Sequence, residues 1–385
     1  MDTNLDEDQL ELAKMARSFF QARFPISTIR ELEQSEVGFA PEVWQEMASL
    51  DWLRLGYPES DGGAGGSALD LTVLYQEMGR SLAPVPHLES SVIAGGALHA
   101  AGTPFARDLL EQVWAADALI TPAIVEADGS FGPEAVTLAA IPAATADGNA
   151  GEPGALSLTG DKLLVAYANS ATHLIVAVRT AQATDEASGV SLVVVRTDSP
   201  GLALTSLTNV ASVPLYAVRF DAVTVPAEAV IGPLNRGWEL LNPALERATV
   251  LRAAQIQGAA ERLLEYAVEY STQRSQFGKP IGQYQAVQYL CSDIAINSHL
   301  TSLYARYAAG LLDAGLPAGK AVSQAKAQAN RTARLAPERA HAVHAGIAFM
   351  LDFDVQLFTR RCRHWELDLG DDRYHRERIA TALAA

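Results

Sequence analysis

The sequence has 385 residues, 49% of them apolar, which is enough chain for about two or three domains with a sizeable buried core. Its 29 Lys and Arg residues against 45 Asp and Glu residues give a formal net charge of -16. Such a charge, without any long basic run, argues against nucleic acid or an anionic bilayer as a partner.

Three features predict a cytoplasmic location. The N-terminal stretch "MDTNLDEDQLELAKMARSFF" is acidic and amphipathic, whereas a signal peptide needs a basic start followed by an apolar run. No stretch approaches the ~18 apolar residues of a membrane span. The cysteines, Cys291 and Cys362, lie in helical patterns without a nearby ligand partner and fit a reducing compartment.

Hydrophobic periodicity divides the chain into three regions. Residues 1–117 repeat apolar side chains with helical spacing and predict an N-terminal α-helical domain. Residues 118–233 contain short β-branched segments separated by turn residues, which is typical of an all-β barrel or sandwich domain. Residues 234–385 return to helical spacing in about four long patterns, the number of a four-helix bundle. The predicted fold class is therefore α+β multidomain, and composition predicts a loop over residues 144–155.

The glycine-rich stretch "SDGGAGGS" at residues 60–67 suggests a phosphate-binding loop at first sight. It lacks the G-x-G-x-x-G spacing, a P-loop Lys-Ser/Thr pair and a surrounding parallel βαβ pattern. A flexible turn between helices is the better interpretation of this stretch.

The stretch "RSQFGKP" at residues 274–280 interrupts two long helical patterns. Gly278 is suited to ending a helix in a left-handed conformation and Pro280 cannot simply continue it, so a helical hairpin tip is predicted. Phe277 at such a tip, between Arg274 and Lys279, suggests contact with another surface. Spacing alone leaves open whether that surface is a neighbouring subunit or an anionic cofactor.

Four ordered motifs resemble those of the acyl-CoA dehydrogenase family. "YSTQRSQFGKPIGQYQAVQYLCSDIA" is similar to the family's R-x-x-F-G signature, and "YPESDGGAGGSALDLTVLYQEMGRSLAP" to its P-E-x-x-G-G-x-G motif. "LYAVRFDAVTVPAEAVIGPLNRGWELL" resembles the F-D-x-V-x-V-P exit from the β domain, and "AVHAGIAF" stands where the family has Q-x-x-G-G-x-G-F. The resemblance covers nearly the whole chain, and the order helical, β, helical is that of the family.

The resemblance implies a flavoprotein that removes the α and β hydrogens of an acyl-CoA thioester with FAD as cofactor. The family's hairpin tip reaches across a subunit interface to the neighbour's FAD. This implies FAD-binding roles for Arg274 near the pyrophosphate, for Phe277 and Gln285, and for Gly346 in the later glycine motif. No metal is implied.

The family's α-proton base is a carboxylate in an apolar pocket, because desolvation raises its pKa and makes proton abstraction feasible. In many relatives it lies in the last segment, where this chain carries Asp371 and Asp372. In relatives similar to isovaleryl-CoA dehydrogenase it lies on the first bundle helix, and Glu246 in "NPALERATVLRAAQIQGA" falls on the matching position. Glu246 has apolar neighbours and is the predicted base, with Asp371 or Asp372 in reserve, although a glutamate near a helix start is usually solvated or capping.

Several polar flavin contacts of the family are missing from this chain. Val125 replaces a threonine that hydrogen-bonds the flavin, while Leu164 and Ala166 replace the aromatic residue and the threonine near flavin N5. Ala342 replaces the glutamine of the glycine motif. Each lost hydrogen bond typically matters at about 0.5–1.5 kcal/mol, so the chain is not expected to build a complete flavin site alone.

These departures resemble the α2β2 tetramers of the family, in which two related chains share each FAD site and act on CoA thioesters of bulky steroid side chains. A homotetramer is the other assembly that the family implies, and electron-transferring flavoprotein is the acceptor it implies. A non-catalytic structural subunit, whose partner holds the flavin, stays open as an alternative. A flavin monooxygenase on the same fold has weaker support, because Glu246 would have no obvious task in it.

Overall fold

The structure is a computed structural model that describes residues 4–143, 154–182 and 187–384. Most of the loop predicted at residues 144–155 therefore lies outside the described residues. Across the described ranges, every helix is either too short or too polar to span a bilayer.

The chain forms two compact units. The first, called the helical unit here, comprises Met1–Glu31, Gly65–Ala83 and Glu246–Ala385. The second, called the β unit, comprises Leu32–Ala64 and Pro84–Leu245. Each unit is thus assembled from stretches that are distant in the sequence.

Helices precede the strands, and two of them begin with a capping box. Asp6 and Ser67 each form a capping box with the residue three positions on, which satisfies backbone N–H groups at the start of α1 and α4. The elements are α1 (Glu7–Arg23), α2 (Ile26–Leu32), α3 (Pro41–Ser49), α4 (Ala68–Arg80), a π-helix (Leu88–Ala94), α5 (Gly95–Ala101) and α6 (Pro104–Trp114).

Two four-stranded sheets form the centre of the β unit. One has the order β1-β4-β5-β8 with β1 parallel to β4, and the other is antiparallel with the order β2-β3-β7-β6. β5 is buried at all but its last residue. Its nearly continuous apolar run fits this burial, since a strand covered on both faces does not need alternating polar residues. The strands are β1 (Ile120–Ala123), β2 (Ala140–Pro142), β3 (Leu156–Ala166), β4 (His173–Arg179), β5 (Val190–Arg196), β6 (Leu202–Leu207), β7 (Leu215–Val225) and β8 (Val230–Ile231).

Long helices form the C-terminal bundle. α9 packs against α8, α10 and α11, with an alanine-rich face that allows close approach of the neighbouring helices. The elements are α7 (Gly237–Gln273), β9 (Ser275–Gln276), β10 (Lys279–Pro280), α8 (Gln285–Asp313), α9 (Gly319–His344), α10 (Val355–Leu367) and α11 (Asp372–Ala384).

Two glycines let α4 and α7 touch through their backbones. A Cβ on Gly79 would lie 1.9 Å from the carbonyl oxygen of Gln255, and a Cβ on Gly258 would lie 1.9 Å from that of Gln76. Both distances are far below van der Waals contact, so any side chain at either position would separate the helices. This reciprocal crossing ties an N-terminal helix into the helical unit.

The predicted fold class is confirmed: N-terminal helices, a middle β region and a C-terminal helical bundle follow one another along the chain. Strand replaces helix between Trp114 and Ile120, and helix returns between Ile231 and Gly237. The domain boundaries at residues 117 and 233 stay a prediction.

Candidate functional site

Glu246 lies on α7 within the helical unit, and its side chain is 20% exposed. Its Oε1 atom is 3.6 Å from Nη2 of Arg378 on α11. A Cβ on Gly319, the first residue of α9, would lie 3.2 Å from the same oxygen. The helix residues that follow, Ala248 and Val250, are fully buried. The carboxylate thus occupies a niche between α9 and α11 above an apolar helix face.

Asp371 and Asp372, the alternative candidates for the base, both take part in structural contacts. Asp371 accepts a hydrogen bond of 2.9 Å from the backbone N–H of Tyr374 and so caps the start of α11. Asp372 lies 3.0 Å from Arg376 and 3.7 Å from Arg334 in ion pairs. These contacts leave Glu246 as the candidate carboxylate that neither caps a helix nor forms an ion pair at hydrogen-bonding distance.

A buried lysine holds the loop between α10 and α11. Nζ of Lys326 donates to Oδ1 of Asn330 at 2.6 Å and to the carbonyl oxygens of Trp365, Glu366 and Gly370 at 3.1 Å each. Burial lowers the pKa of Lys326 to about 7, against the opposing charge of nearby carboxylates. Lys326 was not predicted from the sequence as a site residue, although a lysine on the apolar face of an alanine-rich helix was a usable signal.

The tip at residues 274–280 is a two-stranded β-hairpin. β9 and β10 pair antiparallel, and the residues between them, Phe277 and Gly278, have φ angles of 53° and 84°. Positive φ at both central positions is the pattern of a type I′ hairpin turn. The prediction that Gly278 ends the helix is wrong, because α7 already ends at Gln273. Its left-handed conformation is confirmed, but it serves the hairpin turn instead.

The hairpin presents its predicted cofactor-binding side chains to the outside. Phe277 is 95% exposed, although a non-glycine residue with positive φ is uncommon. Arg274 is exposed, and in the described part of the chain it forms no ion pair with a carboxylate. A cavity of about 470 Å³ lies at the base of the hairpin, lined in part by Val268, Pro280 and Cys291.

The remaining predicted cofactor-binding residues lie beyond the hairpin. Gln285 is exposed and is the first residue of α8, five residues after β10 ends. Gly346 lies in an exposed 3₁₀ turn, Ala345–Phe349, with no atom within 4 Å of where a Cβ would be. The structure groups Arg274 with Phe277 and places Gly346 after α9, beside a different cavity lined by Ala342 and Phe349.

In the β unit, the positions that depart from the family motifs keep their backbone framework. The carbonyl of Val125 accepts a hydrogen bond of 2.8 Å from the N–H of Leu163, and that of Ala166 accepts one of 2.7 Å from Oγ1 of Thr121. Leu164 has a φ of 57° and a 50% exposed side chain, at an irregularity where β3 pairs with β7. The strand geometry is intact, whereas the side chains offer no polar group.

A buried ion pair lies beside these positions. Nζ of Lys162 is 2.6 Å from Oε1 of Glu126 and donates to the carbonyl of Ile124 at 2.9 Å. Glu126 also accepts from the hydroxyl and N–H groups of Thr137 and from the N–H of Leu138. Burial raises the pKa of Glu126, but these donors outweigh it and hold the pKa below its ordinary value. This pair was not predicted from the sequence, although Glu126 directly follows Val125 and Lys162 lies two positions before Leu164.

The side chains described above fit the pyrophosphate of FAD better than its flavin ring. The exposed cation and ring of the hairpin, Arg274 and Phe277, suit an anionic pyrophosphate and a stacking partner. Val125, Leu164 and Ala166 carry no hydrogen-bonding side-chain atom, so only backbone groups could contact a flavin ring at those positions. The fit to FAD is therefore partial, and the polar ring contacts are the missing part.

Comparison with known proteins agrees with this organisation. The profile described as the acyl-CoA dehydrogenase N-terminal domain matches residues 6–149, and that of the C-terminal domain matches residues 235–384. The NADH-dependent acryloyl-CoA reductase of Anaerotignum propionicum is 27% identical over 99% of this chain and 95% of that protein. The cyclohex-1-ene-1-carbonyl-CoA dehydrogenase of Geobacter metallireducens is 27% identical over 92% of this chain and 93% of its own length.

Solved structures resemble the chain over nearly its full length. The ChsE4-ChsE5 complex of Mycobacterium tuberculosis contains a chain with a TM-score of 0.87 and 26% identity, covering 100% of this chain and 99% of that one. A variant of the Tcur3481-Tcur3483 steroid ACAD has a TM-score of 0.85 and 27% identity, covering 98% of both chains. The chain therefore belongs to the acyl-CoA dehydrogenase family, whose members are FAD-dependent oxidoreductases acting on CH–CH donors, and the prediction from its motifs is confirmed.

Proposed function

We propose that this chain dehydrogenates the α,β bond of a bulky, steroid side-chain type acyl-CoA together with a related second chain, and that Glu246 takes the α-proton. The observation that carries the proposal is the niche of Glu246. Among the three candidate carboxylates, the other two cap α11 or form close ion pairs. Glu246 lies 3.6 Å from its cation and keeps oxygen lone pairs that can accept a proton.

The chain's own residues supply proton transfer and binding. A positioned carboxylate that accepts a substrate proton accelerates such reactions by about 10²–10⁴-fold. FAD, when bound, accepts the β-hydrogen as a hydride. Arg274 and Phe277 would hold the dinucleotide through charge and ring contact, with Gln285 and Gly346 as further contacts. Electron-transferring flavoprotein is the proposed acceptor of the electrons.

Two findings support a second, related chain. Val125, Leu164 and Ala166 lack the polar atoms that a flavin ring would need, so a partner could supply what this chain does not. The similar structures named above, the ChsE4-ChsE5 complex and the Tcur3481-Tcur3483 steroid ACAD, each pair two differently named proteins. Because the second is a steroid ACAD, it supports a bulky acyl group for this chain. A homotetramer is the competing assembly.

A non-catalytic structural subunit is the second candidate function. The missing polar groups at Val125, Leu164, Ala166 and Ala342 favour it, since such a subunit would need the fold and the interface only. The presence of Glu246 in its niche favours a catalytic chain over a structural subunit.

The visible absorption spectrum tests the proposal. The chain is purified alone and after coexpression with a related dehydrogenase chain, and flavin bands are recorded before and after adding acyl-CoA thioesters. A colourless chain that becomes yellow with its partner, and is bleached by a steroid side-chain CoA, supports the proposal. Yellow protein from the chain alone that is bleached by the thioester would overturn the two-chain part. Full turnover by a Glu246→Gln complex would overturn the assignment of the base.

A further inference from the structure

We propose that Arg378 is the positioning residue for Glu246: it fixes the direction of the carboxylate without forming a hydrogen bond to it, and Gly319 provides the space. This inference rests on the proposed role of Glu246 as the base. It concerns residues of the helical unit only, on α7, α9 and α11.

Arg378 is held at two points along its guanidinium. Nη1 donates a hydrogen bond of 3.1 Å to the hydroxyl of Tyr374, and the guanidinium carbon lies 5.5 Å from the centre of the same ring. Nη2 is then directed to Oε1 of Glu246 at 3.6 Å. Because Tyr374 precedes Arg378 by one helical turn, α11 itself sets where the cation stands.

The 3.6 Å between Nη2 of Arg378 and Oε1 of Glu246 is longer than in the close ion pairs of the same unit, although Arg334 and Asp372 are a similar 3.7 Å apart. Arg252 meets Asp368 at 2.7 Å, and Arg334 meets Glu366 at 2.7 Å, both within hydrogen-bonding distance. A separation of 3.6 Å is too long for a hydrogen bond, yet charge attraction still acts over it. Glu246 is therefore oriented while its oxygens stay free to accept a substrate proton.

Several contacts hold the start of α11, the helix that carries Arg378. The turn before α11 has left-handed residues at Leu369 and Gly370, with φ angles of 58° and 103°. The carbonyl of Leu369 lies 2.9 Å from Nε2 of His375, and that of Gly370 accepts from Lys326 at 3.1 Å. These contacts fix the start of α11, and with it the direction in which Arg378 extends.

Gly319 completes the niche. A Cβ there would lie 3.2 Å from Oε1 of Glu246 and 3.9 Å from Nη2 of Arg378. The absence of a side chain at this position therefore makes room for both members of the pair.

Steady-state kinetics of the flavin-loaded complex test the inference. The variants are Arg378→Met, Arg378→Lys, Glu246→Gln and the double variant. Arg373→Met is the control on the same helix, since Arg373 is exposed and forms an ion pair with exposed Glu377. The substrate is the thioester that bleaches the wild-type flavin. We expect Arg378→Met to lower kcat about tenfold or more, because misplacing a reacting group carries such a cost. The change in KM should stay within about twofold, the melting temperature should not change, and Arg378→Lys should recover most of kcat.

The outcomes distinguish failure of the proposed base, Glu246, from failure of its proposed positioning residue, Arg378. If Glu246→Gln loses most of kcat, Arg378→Met alone loses about tenfold, and the double variant falls no further than Glu246→Gln, both the base and its positioning residue are supported. If Glu246→Gln is inactive but Arg378→Met turns over like or faster than wild type, the inference is overturned and the base stands. If Glu246→Gln turns over normally, the base assignment and the inference that rests on it both fail. A loss of kcat in Arg373→Met as large as in Arg378→Met would also overturn the inference.

Discussion

At the residue scale, Gly319 sets how closely α9 approaches the carboxylate of Glu246. The change Gly319→Ala places a methyl group 3.2 Å from Oε1, which is tighter than ordinary van der Waals contact. We expect kcat to fall severalfold, while folding stability holds or rises, since Ala favours a helix over Gly by up to about 1 kcal/mol. Kinetics with thermal unfolding measure both, and Lys320→Ala is the control. An unchanged kcat would show that the niche can accommodate the methyl group without displacing the Glu246 carboxylate.

The buried pair Lys162–Glu126 is a second determinant at this scale. Lys162→Met leaves the Glu126 carboxylate without its cation, and breaking a buried pair in this way costs about 3–5 kcal/mol. Chemical denaturation measures the loss. Arg196→Met is the matched control, because Arg196 and Asp198 form an exposed pair in the same unit and their separation should change stability little. Equal effects of the two variants would contradict the prediction.

The lowered pKa of Glu126 also predicts how the folding stability depends on pH. Its folded pKa is below the ordinary value of 4.5, so the unfolded chain binds more protons in the interval beneath 4.5. The contribution of Glu126 is therefore present above that value and is lost as the pH falls through the folded pKa. Denaturation at a series of pH values should show a weaker decline in Glu126→Gln than in wild type. Parallel curves for the two proteins would refute the link.

At the element scale, Lys326 replaces the missing hydrogen bonds at the end of α10. Lys326→Met leaves the carbonyls of Trp365 and Glu366 without this donor, and unsatisfied buried groups cost about 1–3 kcal/mol each. The carbonyl of Gly370 keeps a hydrogen bond of 3.3 Å from the side-chain amide of Asn330. We expect a loss of roughly 2 kcal/mol or more in the free energy of unfolding, measured by denaturation. Lys320→Met, on the same helix, should be nearly neutral. A small loss in Lys326→Met would mean that water takes over the two carbonyls.

The same elements show what sequence reasoning can and cannot reach. Helices and strands followed from apolar spacing, and the family motifs gave the fold and Glu246 as a hypothesis. The carbonyl acceptors of Lys326 are 39–44 residues away along the chain, and no local pattern reports such a contact. Phe277 at a positive φ also escaped prediction, because the usual signal for a type I′ turn is Asn-Gly and not Phe-Gly. Distant partners and unusual turn residues are thus where the structure adds most.

At the scale of the whole molecule, the exposed ring of Phe277 is the sharpest probe of assembly. Phe277→Gly removes the ring and suits the positive φ, so the hairpin itself should persist. We expect weaker retention of FAD and a smaller fraction of oligomer, with an unchanged melting temperature of the isolated chain. Flavin absorbance after gel filtration and light scattering measure these quantities. Ile296→Ala, at an exposed position on α8, tests whether any exposed apolar group has the same effect.

The result separates two roles for the hairpin. Loss of flavin and oligomer in Phe277→Gly alone would support a specific contact at the tip. Full retention of both in Phe277→Gly would leave the hairpin as a surface feature and would contradict its proposed role in holding the cofactor.

The glycine crossing of α4 and α7 has a consequence for how the chain is made. During synthesis α4 leaves the ribosome long before α7, because residues 81–236 are translated in between. At ordinary translation speeds this interval lasts roughly 10 to 30 seconds. Throughout it, the face of α4 around Gly79 has no partner, while the stretches of the β unit are already complete when Leu245 emerges. The nascent helical unit is therefore expected to depend on chaperones until its last stretch, Glu246–Ala385, is translated.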